Sequence, residues 1–167
     1  DKLSIEVSKT KNNPLCGEAS LHVPIIKGGQ SLFIYAGECK INVERRTIPG
    51  ESKNDIHAEL KELLDQLSNE DPKFNASLKN LIWRNPYEVK EDAAIVKSLQ
   101  RQMPSPVTDF IGHTWWEDSG LFGEAGIETV IIGPRGGGIH QSIEWVELDS
   151  VIDLSQILYN TTLDFCK

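Results

Sequence analysis

Apolar residues recur along this chain at two spacings, one that suits strands and one that suits helices. In the first third, β-prone stretches at residues 19–26, 31–35 and 38–45 are separated by turn signals such as Gly28-Gly29. Cys39, Ile41 and Val43 fall on one face of the last stretch. The pattern predicts an antiparallel sheet whose final strand closes at Pro49-Gly50. From Ile56 the spacing turns helical. Ile56, Leu60, Leu63, Leu64 and Leu67 share a face that reads as core lining, and Ser52-Lys53-Asn54-Asp55 supplies capping groups ahead of them. Asn69-Glu70-Asp71-Pro72 ends that helix. Residues 77–83 read as a returning strand, and Asn85-Pro86 marks a break and a module boundary.

The second half has a different rhythm. A short helix over residues 93–99 is stopped by Met103-Pro104-Ser105-Pro106, and another over 118–125 is ended by Gly126. Thr129-Val130-Ile131-Ile132 reads as a buried strand. A last helix runs from Asp149 to about Leu163, with Val151, Leu154, Ile157 and Leu158 on one side. Mixed strands and helices predict an α/β fold. There is no internal repeat and no low-complexity segment.

Composition narrows the function classes. The 167 residues suffice for one ordinary domain or two small ones. With 17 Lys plus Arg against 25 Asp plus Glu, the formal charge of -8 disfavours a general nucleic-acid binder, which must neutralise phosphates. Cys16, Cys39 and Cys166 lie far apart with no C-x-x-C pair, so ordinary thiols and a cytoplasmic setting are expected. Asn75-Ala76-Ser77 and Asn160-Thr161-Thr162 match the glycosylation pattern, which matters only in a secreted chain. No apolar run is long enough to span a membrane, and no membrane partner is expected. The opening Asp1-Lys2-Leu3-Ser4 lacks an initiator Met and a signal-peptide core, so the chain is expected to begin within a longer protein.

The candidate chemistry centres on Gly133-Pro134-Arg135-Gly136-Gly137-Gly138-Ile139-His140, directly after the apolar run. A Gly-rich turn at the carboxyl end of a strand is where open α/β sheets keep ligands. There the backbone can approach a ligand closely, and His140 can offer a neutral imidazole to a metal or act as a base. The alternative is a solvated loop histidine. A phosphate cradle fits poorly, because the Gly-Lys-Ser/Thr ending and G-x-G-x-x-G spacing are missing. A hydrolytic zinc site needs at least three protein ligands, and the remaining histidines are His22 on a strand, His57 on the amphipathic helix and His113. Structural roles suit His22 and His57. His113 lies in Gly112-His113-Thr114-Trp115-Trp116-Glu117-Asp118, a loop that can bind or orient a ligand, although adjacent tryptophans commonly just pack. Asp118 reads as an N-cap for the helix that begins at Ser119. Arg45-Arg46 can grip a carboxylate with two parallel hydrogen bonds, or remain surface arginines. No Gly-x-Ser-x-Gly elbow or activated cysteine points to covalent catalysis.

Two segments carry a family resemblance. Gly28-Gly29 followed by Cys39-Lys40-Ile41-Asn42-Val43-Glu44-Arg45-Arg46-Thr47-Ile48-Pro49-Gly50-Glu51 resembles the lid-domain motif of a metallopeptidase family. This is the family of acetylornithine deacetylases, succinyl-diaminopimelate desuccinylases and aminoacylases. Glu117-Asp118-Ser119-Gly120-Leu121-Phe122-Gly123-Glu124-Ala125-Gly126-Ile127, and then Gly133 to His140 with Gln141-Ser142-Ile143-Glu144-Trp145-Val146, resembles the end of its catalytic domain. The resemblance implies an α+β lid with an antiparallel sheet and helices over residues 1–84, incomplete at its start. Residues 85–167 would be part of an α/β metallohydrolase sheet. It implies that His140 is one ligand of a two-metal zinc or cobalt site, that Arg46 meets a substrate carboxylate, and that the backbone of Gly136, Gly137 and Gly138 lines the pocket. Asp118 and Glu144 would be supporting residues. The other metal ligands and the general base would come from an amino-terminal half absent here, so the chain alone is expected to be inactive.

The substrate implied is an N-acyl amino acid or small peptide, and a homodimer through the lid is also implied. Phe33-Ile34-Tyr35-Ala36 departs from the family's N-x-x-P, and Trp115-Trp116 replaces small residues, which would suit a bulkier or more apolar acyl group. The competing possibilities are a non-catalytic dimerisation or interaction module, built on an exposed sheet edge, and a degenerate relative of the family.

Overall fold

The computed structural model describes residues 2–106 and 109–166. Its elements are α1 (Lys2–Thr10), β1 (Asn12–Asn13), β2 (Gly17–Glu18), β3 (Ser20–Gly28), β4 (Cys39–Arg46), α2 (Lys53–Glu70), α3 (Ala94–Gln102), α4 (Ser119–Glu124), β5 (Gly136–Gly137), β6 (Trp145–Val146) and α5 (Leu148–Phe165). The expected mixture of helices and strands is present, and every ladder among the described residues is antiparallel and two-stranded: β1 with β2, β3 with β4, β5 with β6. The chain divides into two compact units, Asp1–Pro86 with Ile111–Glu117, and Tyr87–Phe110 with Asp118–Lys167.

In the first unit, β3 and β4 pair from Ser20 opposite Arg46 to Gly28 opposite Cys39, with the register broken between His22 and Ile25. Pro24 explains the break, since it has no N–H to give to a ladder. Helix α1 packs across β3, and Val7, Ala19 and Ile48 form a small buried cluster with Leu3 and Cys16 against it. The Ser4 hydroxyl donates to the Leu21 carbonyl at 3.0 Å, which ties the helix to the strand. Helix α2 begins as its sequence predicts. Ser52 accepts from the Asp55 N–H at 3.3 Å and the Asp55 carboxylate accepts from the Ser52 N–H at 3.2 Å, a reciprocal capping box.

Two predicted strands of this unit are not formed. Residues 31–35 lie in the β3–β4 connection, and residues 77–83 run without regular structure. A strand exists only where a ladder partner exists, and neither stretch has one among the described residues. In the other direction, α1 and the short β1–β2 hairpin were not evident from periodicity, since two-residue strands are too short to show a repeat.

In the second unit, α3 packs on α5. Val96, Leu99 and Ile157 are buried there, together with Ser98, whose hydroxyl donates to the Asp164 carboxylate at 2.8 Å; Arg101 pairs with the same carboxylate. The predicted strand at 129–132 runs without regular structure, and Ile131 is exposed. It is held instead at its start, where the Thr129 N–H donates to the Tyr87 hydroxyl at 2.8 Å and Glu128 accepts from the first N–H of α3 at 3.3 Å. Helix α4 is present where expected, but Asp118 caps it differently from the prediction. Its side chain makes no capping bond, and its carbonyl accepts from the Leu121 N–H at 2.9 Å, because Asp118 already has helical dihedrals.

Candidate functional site

The His140 loop is built from its neck upward. Arg135 is anchored to the start of α5: its N–H donates to the Ser150 hydroxyl at 2.9 Å, its carbonyl accepts from the Glu147 N–H at 2.9 Å, and its guanidinium donates to the Glu147 carboxylate at 2.8 Å. The hydrogen bond to Glu147, then the charge of the same carboxylate, raises the pKa of Arg135 above its usual value. Above this neck, Gly136 pairs with Val146 and Gly137 with Trp145.

The three glycines have steric reasons of their own. A Cβ on Gly136 would run into the Trp145 carbonyl. One on Gly137 would press on the Trp145 indole at 3.1 Å, and one on Gly138, where φ is +75°, would meet the Ile143 carbonyl. The glycine run therefore lets the returning strand lie directly on it. At the tip, the Gln141 N–H donates to the Gly138 carbonyl at 2.9 Å, closing a turn in which His140 is the third residue. His140 has a φ of 59°, the left-handed region, and is the non-glycine residue found there among the described residues. Both His140 and Glu144 are exposed. A non-glycine residue in this conformation is uncommon and costs about 1–2 kcal/mol, although histidine adopts it more readily than most.

Among the described residues, no three His, Cys, Asp or Glu side chains come together as a set that could hold a metal. One imidazole is short of the three protein ligands a zinc site needs. On their own, the described residues therefore do not fit a zinc or cobalt centre, and no reaction step can be drawn through a metal here.

The first unit contains the arginines. Arg45, whose side chain is 5% exposed, is fully engaged. It meets Glu51 at 2.5 Å, Glu59 at 3.5 Å and the Arg46 carbonyl at 2.6 Å, while Glu51 also accepts from the Ile48 N–H at 2.9 Å. The Pro49-Gly50-Glu51 turn, with Gly50 at a φ of 94°, brings Glu51 back beneath the strand. The arginine expected to share in gripping a ligand is thus a structural one. Arg46 keeps a 40% exposed side chain and pairs loosely with Glu44 on its own strand at 3.2 Å. Sequence reasoning missed the Arg45–Glu51 pair, whose meeting depends on the left-handed Gly50 between them.

Of the other histidines, His22 and His113 have local partners, while His57 is exposed on α2. His22 shares a hydrogen bond with Ser20 at 3.0 Å. His113 stacks on Trp115 with 3.8 Å between ring centroids, the Trp115 N–H donates to Glu117 at 2.6 Å, and the Arg84 guanidinium lies 5.6 Å over Trp116. The Gly112 N–H ties this segment to the Leu15 carbonyl at 3.1 Å, so the tryptophans are part of a packed loop, still half-exposed. Cys39 and Cys166 are exposed thiols.

No family model matches the chain. Over 149 residues it is 25% identical to the acetylornithine deacetylase of Myxococcus xanthus, a match that covers 88% of this chain and 38% of that protein. The likeness is to a hydrolase. It is distant, and this chain spans well under half of the relative's length. No helix among the described residues is long and apolar enough to cross a membrane.

Proposed function

We propose that this chain is part of a metal-dependent amidohydrolase that cleaves the amide bond of an N-acyl amino acid or small peptide. The observation that carries the reading is His140: an exposed imidazole, held with left-handed backbone at the tip of a glycine hairpin whose neck is bolted to α5. An accessible ring outside any three-residue ligand set among the described residues is suited to complete a coordination sphere built largely by other polypeptide. Zinc or cobalt is the metal class proposed, with the general base and the remaining ligands outside this chain. The chain's own residues position and bind. His140 offers a lone pair, the Gly136–Gly137 strand keeps the loop rigid, and Arg46 can leave its weak partner Glu44 for a substrate carboxylate. Likeness to a deacetylase supports the same class.

The test is metal analysis of the product of the complete reading frame. His140→Ala is expected to lower bound zinc or cobalt by about one equivalent. Unchanged metal content would remove His140 from the coordination sphere.

A further inference from the structure

Among the described residues, the buried polar side chains are Ser98, Ser150 and Thr161. Ser98 joins α3 to α5 through Asp164, and the Thr161 hydroxyl donates to the Ile157 carbonyl of its own helix at 2.8 Å. Ser150 is different. It lies in the first turn of α5 at 3% exposure, and its hydroxyl accepts from the Arg135 N–H at 2.9 Å while donating to the Glu147 carbonyl at 2.7 Å. The helix does not need that hydroxyl, since the N–H groups of Ser150 and Val151 already reach the Glu147 carbonyl at 3.0 and 3.3 Å. What it adds is a bond to the residue that opens the glycine hairpin.

Two other contacts hold the same neck. The Glu147 N–H donates to the Arg135 carbonyl at 2.9 Å, and the Arg135 guanidinium pairs with the Glu147 carboxylate. Those two charged side chains are 65% and 47% exposed, where solvent screening leaves an ion pair little to contribute. The neutral contacts therefore fix the neck. With both the N–H and the carbonyl of Arg135 held by α5, the chain enters Gly136 in one orientation, and the pairs Gly136 with Val146 and Gly137 with Trp145 carry it to the turn at His140. We infer that Ser150 is a positioning residue for the His140 imidazole, acting through the Arg135 peptide. The inference rests on the amidohydrolase reading above, which gives His140 its role. Its effect is geometric, because a misplacement of about 1 Å in a reacting group can lower turnover on the order of a hundredfold.

The experiment compares wild type, Ser150→Ala, Ser150→Cys, Glu147→Gln and His140→Gly in the product of the complete reading frame, with N-acetylated amino acids as substrates. Ser150→Ala is expected to lower kcat roughly ten- to a hundredfold with KM unchanged. Ser150→Cys fills the same space with a much weaker donor and acceptor, so it should fall in the same direction without leaving a cavity. Glu147→Gln, which removes only the exposed ion pair, should stay within about twofold of wild type. In the 167-residue chain itself, amide hydrogen exchange at Arg135 and Gln141 should quicken roughly tenfold in Ser150→Ala, while Ile157 and Thr161 within α5 exchange as in wild type. An unchanged kcat in both Ser150 variants while His140→Gly is inactive would overturn the inference and leave the amidohydrolase reading standing. A rise in KM alone, or exchange that quickens equally along α5, would do the same. An inactive wild type, or His140→Gly as active as wild type, would overturn that reading and this inference with it.

Discussion

Arg45 and Arg46 are neighbours with opposite fates, and the difference is burial. Arg45 is enclosed with Glu51, itself only 7% exposed, so removing either partner strands a charge. Arg45→Ala is expected to destabilise the first unit by roughly 3–5 kcal/mol in urea unfolding. Arg46→Ala, on the strand surface, should stay within about 0.5 kcal/mol of wild type. Had the two arginines been equivalent, their unfolding midpoints would move together. His140 allows a cleaner separation of stability from function. With φ at 59°, His140→Gly relieves backbone strain while widening the unfolded ensemble, so stability should stay within about 1 kcal/mol of wild type by thermal melting. A loss of several kcal/mol would show that the imidazole is a structural group. The capping pair Ser52 and Asp55 was legible in the sequence, because its partners sit three residues apart. Arg45 and Glu51 were not, because their meeting depends on the left-handed Gly50 between them.

Among elements, the helices were readable and several strands were not. Leu60, Leu63, Leu64 and Leu67 repeat at helical spacing, and a helix satisfies its own backbone, so α2 stands where its pattern placed it. Residues 31–35, 77–83 and 129–132 have strand-like composition, yet a strand needs a neighbour in the ladder that composition cannot name. Beside its apolar packing, the α3–α5 pair meets in polar contacts at Asp164. Ser98 is fully buried and relies on Asp164, which also holds Arg101. Asp164→Ala should cost roughly 1–3 kcal/mol, the penalty of a buried hydroxyl without its acceptor, and Arg101→Ala should cost less. Equal effects of the two substitutions in urea unfolding would contradict this ordering. In the β5–β6 hairpin, Gly138→Ala meets both a positive φ and the Ile143 carbonyl. Faster amide hydrogen exchange at Gln141, whose N–H closes the turn, is the expected sign that the loop has opened.

For the whole molecule, the two units each bury a small core and leave many apolar side chains exposed, from Val23, Ile26 and Ile41 on the β3–β4 sheet to Leu148, Ile152 and Leu163 along α5. Contiguous exposed apolar patches mark interaction sites in folded proteins, and the match to an acetylornithine deacetylase covers 38% of that protein. Segments from Gly28 to Glu51 and from Glu117 to Val146 carried the likeness in the sequence; the first falls on the β3–β4 hairpin and the second on α4 and the β5–β6 hairpin. What the sequence could not give was a set of donors around His140, and among the described residues no group of three candidate ligands forms. The most direct measurement is hydrolysis of N-acetylated amino acids by the product of the complete reading frame, comparing wild type with His140→Gly. Turnover is expected to fall at least about a hundredfold in the variant while its melting temperature holds. Equal turnover in the two proteins, or none in the wild type across such substrates with metal supplied, would contradict the amidohydrolase assignment.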